Sequence, residues 1–313
     1  MSGLPLTRRT VAVAGLAGLA GLVGLASPGL VRAQAAPSFT TSDQRQGLLI
    51  VPVMINDRGP YAFAIDSAAN TSVIARDLVA GLMLPDAGEV TMHTLVAGER
   101  APTVRAGRVG TGALNARDIR LVVAGRHGLS GLDGLLGTDL LAGLRLVLHF
   151  GRRTRVDVTR PRRWGDHAGD GRRLSARSAS AGEQRFNGLL MIDASARSIP
   201  CKVIIDTGAR MTVINTALAR EAGAQPLVLP DGTTVSRVLS PTGRDAMAEA
   251  MLLPELRLGG ISLTRVPVLV GDFHTFAIWG LADQPAALLG VDLLGLFQTV
   301  IIDLKRGELV LDP

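Results

Sequence analysis

The chain has one cysteine, one tyrosine and two tryptophans among 313 residues, and aromatic residues make up only 3%. A single cysteine excludes an intrachain disulfide. Cys201 lies in an apolar strand pattern and reads as a small buried residue. With so few rings, Val, Leu, Ile and Ala must fill the interior, and there is little to stack on the bases of a nucleic acid. The five histidines, His93, His127, His149, His167 and His274, are scattered, and none forms an H-x-x-x-H pair. No metal site and no cofactor are therefore expected. No G-x-S-x-G is present, and the cysteine has no local histidine, so serine and cysteine hydrolase readings fail.

What is abundant is glycine, at 37 residues, and apolar residues, at 47%. That combination points to many tight turns around sizeable cores rather than to long helices. The net charge is +6. Much of the arginine falls between Gly151 and Arg185, which reads as a solvated basic linker, and no nucleic-acid partner is expected.

The N-terminus is an address. Arg8 and Arg9 precede an apolar, glycine-diluted run from Val11 to Leu25, and Val31-x-Ala33 and Ala33-x-Ala35 offer cleavage sites. Residues 1–35 resemble a twin-arginine secretory signal that is removed, which predicts a periplasmic or secreted protein with no membrane span after removal. No lipobox cysteine is present.

The rest of the chain repeats itself. "GLLIVPVMINDRGPYAFAID" (Gly47 to Asp66) is echoed by "GLLMIDASARSIPCKVIID" (Gly188 to Asp206), each reading strand, turn, strand and ending on Asp. "GLLGTDLL" from Gly134 is echoed by "ALLGVDLL" from Ala287, each followed by a β-rich run. Between them, Thr91 to Val104 and Thr234 to Glu249 read as hairpins with turns near Gly98 and Gly243. The boundaries are a first lobe over 36–159, a linker over 160–184 and a second lobe over 185–313. One duplication of so long a unit predicts two lobes rather than a solenoid.

Two lobes of one fold pack around a pseudo-two-fold axis, where residues meet their own counterparts. Asp66 and Asp206, 140 residues apart, stand at equivalent positions. If they face each other they share one proton. One carboxylate then activates a water as base while the other acts as acid toward an amide carbonyl. Ser67 and Thr207 can hydrogen-bond across the axis, and Gly208 permits the turn after its strand. The hairpins with tips at Gly98 and Gly243 can close over an extended peptide.

These motifs, "VIIDTGARMTVI" with "ALLGVDLL" and "FAIDSAANTSVI" with "GLLGTDLL", resemble the retropepsin-like aspartic proteases in a bacterial tandem form. The resemblance spans about Gly47 to Pro313 apart from the linker. It implies an all-β fold of two retropepsin-like acid-protease lobes, each with one or two short helices, acting as a monomer on peptide or protein substrates in extended conformation. Asp66 and Asp206 would be catalytic, supported by Ser67, Ala68 and Ala69 in one loop and by Thr207, Gly208 and Ala209 in the other. The first lobe departs from the pattern, since Ala68 stands where the family has Gly. That residue favours an alternative, a catalytically impaired peptide- or protein-binding member of the fold. Asp133, Asp139, Asp292 and Asp303 read as turn or helix-start residues, Trp279 as packing, and Met92, Met211, Met247 and Met251 as core filler.

Overall fold

The computed structural model describes residues 47–151, 154–161 and 188–312, together with the backbone of the strands Arg9–Val11 and Ser178–Arg185. The expected leader lies largely outside these residues; its Arg9–Val11 pairs in parallel with Ile261–Leu263.

The first lobe starts with a hairpin of Ile50–Ile55 and Arg58–Ile65. Its two-residue turn places Asn56 and Asp57 at φ 50° and 60°, the left-handed pair that such turns need and that these two residue types tolerate. Val51, Val53 and Ile55 alternate inward while their neighbours face out. Five further strands follow: Val73–Ala75, Asp86–His93, Gly98–Thr111, Leu114–Ala124 and Gly134–Leu136. The sheet closes where Ile55 pairs with Val109. Its short central strands, Val73–Ala75 and Gly134–Leu136, are buried along their whole length, which explains their unbroken apolar sequence.

The second lobe repeats this order. Ile205 runs parallel to Leu289 as Ile65 does to Leu136. Val213 lies antiparallel to Leu288 as Val73 does to Leu135. The first lobe has the two short helices expected, Arg76–Gly81 and Thr138–Leu141. The second has three: Thr216–Glu221, Val291–Leu294 and His274–Ile278. The additional helix, His274–Ile278, forms because Phe273, Phe276 and Trp279, three residues apart, bury one helical face.

A joining sheet carries strands of both halves. Its order is Arg155–Thr159, Arg145–His149, Thr299–Asp303, Glu308–Asp312 and Ser178–Arg185, all antiparallel. Ser178 to Gln184, expected within the linker, therefore lie in a strand; the Leu309 and Val310 backbone offers them an edge. Residues 162–177 of the expected linker lie outside the described residues. Leu146, Leu148, Val300, Ile302 and Leu309 are fully buried in this sheet and belong to an apolar cluster that runs through both lobes. Each such side chain contributes about 1.5–3 kcal/mol by burial. Of the methionines, Met92, Met211 and Met251 pack against core clusters. Met247 does not: it sits 59% exposed on an outward position of its hairpin.

Candidate active site between the lobes

Asp66 and Asp206 each follow the last residue of a buried strand. The Asp66 N–H donates to Leu136 O and the Asp206 N–H to Leu289 O, both at 2.9 Å, so the "Leu-Leu" segments fix where each loop leaves its sheet. The loop then folds back on its carboxylate. Asp66 Oδ1 accepts the N–H groups of Ala68 (3.0 Å) and Ala69 (2.8 Å). Asp206 Oδ1 accepts those of Gly208 (2.8 Å) and Ala209 (3.0 Å).

Across the axis, Ser67 Oγ donates to Ile205 O at 2.7 Å and accepts the Thr207 N–H at 3.1 Å. Thr207 Oγ1 donates to Ile65 O at 2.8 Å and accepts the Ser67 N–H at 3.0 Å. Both side chains are fully buried. Four hydrogen bonds thus lock the two loops to one another, as the duplicated hydroxyls predict.

Burial raises both carboxyls above their ordinary value, and the Asp66 charge pushes Asp206 further up. Each receives two backbone donors that oppose this rise, yet burial wins in both. Such a pair retains a proton where an isolated aspartate would have lost it.

At the residue two beyond each Asp, Ala68 and Gly208, the loops differ by one methyl group. A Cβ on Gly208 would lie 2.5 Å from Asp66 Oδ2, so any larger residue there must displace that carboxylate. Ala68 already carries its methyl, which packs against the apolar cluster of the second lobe. Its N–H still reaches Asp66. The departure from glycine therefore leaves the hydrogen bonding of the loop intact.

A second ring of contacts braces the loops. Asp139 accepts the Ser72 N–H (3.0 Å) and hydroxyl (2.7 Å), and Ser72 Oγ accepts the Gly137 N–H (2.9 Å). Asp292 accepts the Thr212 N–H (3.0 Å) and hydroxyl (2.8 Å), and Thr212 Oγ1 accepts the Gly290 N–H (3.1 Å). The helix-start role assigned to Asp139 and Asp292 from sequence is thus incomplete: each carboxylate faces back to the loop six residues beyond Asp66 or Asp206. Burial raises both, Asp292 to about 6. The glycines of the "Leu-Leu-Gly" segments have the same cause. A Cβ on Gly137 would lie 2.8 Å from Ala69 O, and one on Gly290 2.8 Å from Met211 O. The signal was available in the sequence, because Ser72 with Asp139 and Thr212 with Asp292 recur at matching positions.

Asp133 is also more than a turn residue: it accepts the Ala62 N–H at 2.7 Å and pairs with Arg126. Asp303 does cap a turn, accepting the N–H groups of Lys305 and Arg306.

Asp66 and Asp206 open onto a cleft of about 1790 Å³ between the lobes. Its walls include Met92, Ile119, Leu229, Ile278 and Trp279, so Trp279 both packs and lines. The two hairpins overhang it. The first turns through Thr94–Ala97, closed by Thr94 Oγ1 donating to Ala97 O. Gly98 thus starts the return strand opposite His93 rather than forming the tip, because the threonine hydroxyl makes the turn. The second turns through Ser240–Arg244 and contains Gly243 at φ +90°. Each hairpin reaches the opposite lobe or its partner hairpin. Thr94 O accepts from Thr275 Oγ1 at 3.2 Å, and Glu99 pairs with Arg244. Pro241 lies against Gly128, where an added Cβ would also come within 3.0 Å of Gly243 N.

The sequence pattern described as aspartyl protease matches residues 51–140 and 185–293, one stretch in each lobe. The chain belongs to the aspartyl protease family. Among solved structures, this aspartyl protease family member is similar to a retropepsin-like aspartic protease from Rickettsia conorii. The two are 20% identical over 44% of this chain and 90% of that one, with a TM-score of 0.29. No curated protein matches. Among the described residues of this family member, no group of three or more His, Cys, Asp or Glu side chains forms a metal site, and no helix is long and apolar enough to cross a membrane.

Proposed function

We propose that the protein is an exported aspartic endopeptidase in which Asp66 and Asp206 are the catalytic pair. The observation that carries this reading is the reciprocal Ser67–Thr207 lock, which sets two buried carboxyls with raised proton affinity on equivalent loops at the floor of one cleft. In the free enzyme the pair shares one proton. The ionised member takes a proton from a water held between the carboxyls, and that water attacks the scissile carbonyl carbon. The protonated member gives its proton to the carbonyl oxygen, and no covalent intermediate forms. Collapse of the tetrahedral species breaks the C–N bond, with the proton delivered to the leaving amine. An extended peptide fits beneath two hairpins whose strands offer edge hydrogen bonds. The retained Ala68 N–H contact with Asp66 argues for turnover rather than for binding alone. Export rests on the Arg8-Arg9 leader pattern, and activity as a monomer rests on both lobes being in one chain.

The test is incubation of the protein with a diverse peptide mixture from acid to neutral pH beside Asp66→Asn and Asp206→Asn, with cut bonds identified by mass spectrometry. Cleavage that disappears in both variants is the expected result. Cleavage that survives in either, or folded native protein that cuts nothing, overturns the reading.

A further inference from the structure

The first hairpin is fastened to the second lobe at its tip. Besides the Thr94–Thr275 and Glu99–Arg244 contacts, Leu95 packs against the second-lobe cluster that contains Leu229 and Trp279. The remaining fastening is chemically different. His93 Nδ1 lies 3.0 Å from His274 Nε2, with ring centroids 5.3 Å apart and planes inclined by 28°. Among the described residues, this is the one hydrogen bond that either imidazole makes. Gly98 backs the pair so closely that a Cβ there would lie 2.9 Å from His93 Nδ1 and 3.3 Å from His274 Nε2.

A hydrogen bond between two ring nitrogens needs one donor and one acceptor, so at most one of the rings is a cation. Imidazoles change charge in the mildly acidic range. Once both rings are charged, the acceptor is lost and two like charges stand a few ångströms apart. The charged groups on the neighbouring elements are already engaged. Glu99 pairs with Arg244 of the second hairpin, Arg100 with Glu89, and Asp272 Oδ1 accepts the Thr216 N–H. None of them accepts a hydrogen bond from either imidazole.

We propose that His93 and His274 form a proton-released latch that holds the first hairpin shut over the cleft at neutral pH and frees it when both rings are charged. What the opening admits rests on the peptidase reading; the latch itself does not. Acid then does two things at one site: it opens the roof and keeps the shared proton on the carboxyl pair.

The hairpin can be followed without any substrate. Spin labels are placed on the full chain at Ala97→Cys and Asp283→Cys in a Cys201→Ser background, and their separation is measured by pulsed dipolar spectroscopy at pH 7.5 and pH 5. The expected result is one short distance at pH 7.5 and a longer one at pH 5, with the closed-to-open ratio falling about tenfold, as loss of one hydrogen bond implies. His274→Gln and His93→Gln, which cannot charge, should each abolish that response. A native distance that ignores pH, or a response unchanged in both glutamine variants, overturns the latch. Peptide cleavage on the same samples separates the two readings. A distance that responds to pH in a chain that cuts nothing supports the latch and removes the peptidase. Cleavage with an unresponsive distance does the reverse.

Discussion

Ser67 and Thr207 each accept the backbone N–H of the other, at 3.1 and 3.0 Å, while their hydroxyl protons go to Ile205 O and Ile65 O. At these two positions neither loop satisfies its own backbone N–H; each depends on the other lobe. Removing one hydroxyl leaves a buried N–H and a buried carbonyl unpaired. Ser67→Ala or Thr207→Ala should therefore each lower stability by about 1–3 kcal/mol. Because the residues act as a unit, the double variant should fall short of the sum, with a coupling of about 0.5–3 kcal/mol. Urea denaturation of the four proteins measures this, and simple additivity would contradict a shared lock.

The methyl asymmetry gives a paired test. Gly208→Ala drives a Cβ into the Asp66 carboxylate, and a displacement of that size should reduce turnover about a hundredfold. Ala68→Gly removes a methyl from the equivalent position without disturbing the N–H contact. It should leave turnover close to native and lower stability by about 0.4–1 kcal/mol through the freer unfolded chain. Steady-state kinetics on one peptide with thermal denaturation decides the matter. A large gain in rate from Ala68→Gly would instead mean that the native loop is impaired.

The raised proton affinity of the carboxyl pair sets the sign of the pH profile. In the proposed mechanism activity requires one proton on the pair, and burial plus mutual repulsion holds that proton to higher pH than an ordinary aspartate would. The alkaline limb of kcat/KM should therefore lie above the usual carboxylate range. Activity confined below that range, or rising steadily through alkaline pH, would be incompatible with a shared proton. The His93→Gln and His274→Gln variants let this limb be recorded without the histidine contribution.

Asp292 predicts a dependence of stability on pH. Its carboxyl ordinarily titrates at 3.8 and is raised by burial to about 6 in the fold. The folded protein thus holds a proton that the unfolded chain has released between those values. The stabilisation it gives is complete below about 4 and declines as pH climbs to about 6. Asp292→Asn cannot titrate, so its stability should fall less than native over that window, measured by urea denaturation at pH 4 and pH 7. Asp292→Ala leaves the Thr212 N–H and hydroxyl without an acceptor and should cost about 1–3 kcal/mol. An Asn variant with the full native slope would place the titration elsewhere.

The duplicated strands, the paired Asp loops and the crossed hydroxyls were legible because each appears twice and each rests on local pattern: an apolar run, an acid, a hydroxyl, a turn. Three features around the cleft escaped. The bracing role of Asp139 and Asp292 was hidden by a helix start that explains acidic residues well enough on its own. The tip of the first hairpin moved from Gly98 to Thr94–Ala97 because a threonine hydroxyl closes that turn without glycine. The pairing of His93 with His274 had no local signature, since 181 residues separate them and only the closure of one lobe's hairpin on the other lobe's extra helix brings them together.

That extra helix bears on more than the histidines. In the first lobe the matching wall is a turn built around Gly128; in the second it is His274–Ile278, backed by Phe276 and Trp279. A cleft with two identical walls would accept a chain equally well in either sense. A polypeptide, however, reads differently from N to C than from C to N. Walls of unlike shape remove the degeneracy, so fusion of the two lobes into one chain gives this cleft a head and a tail.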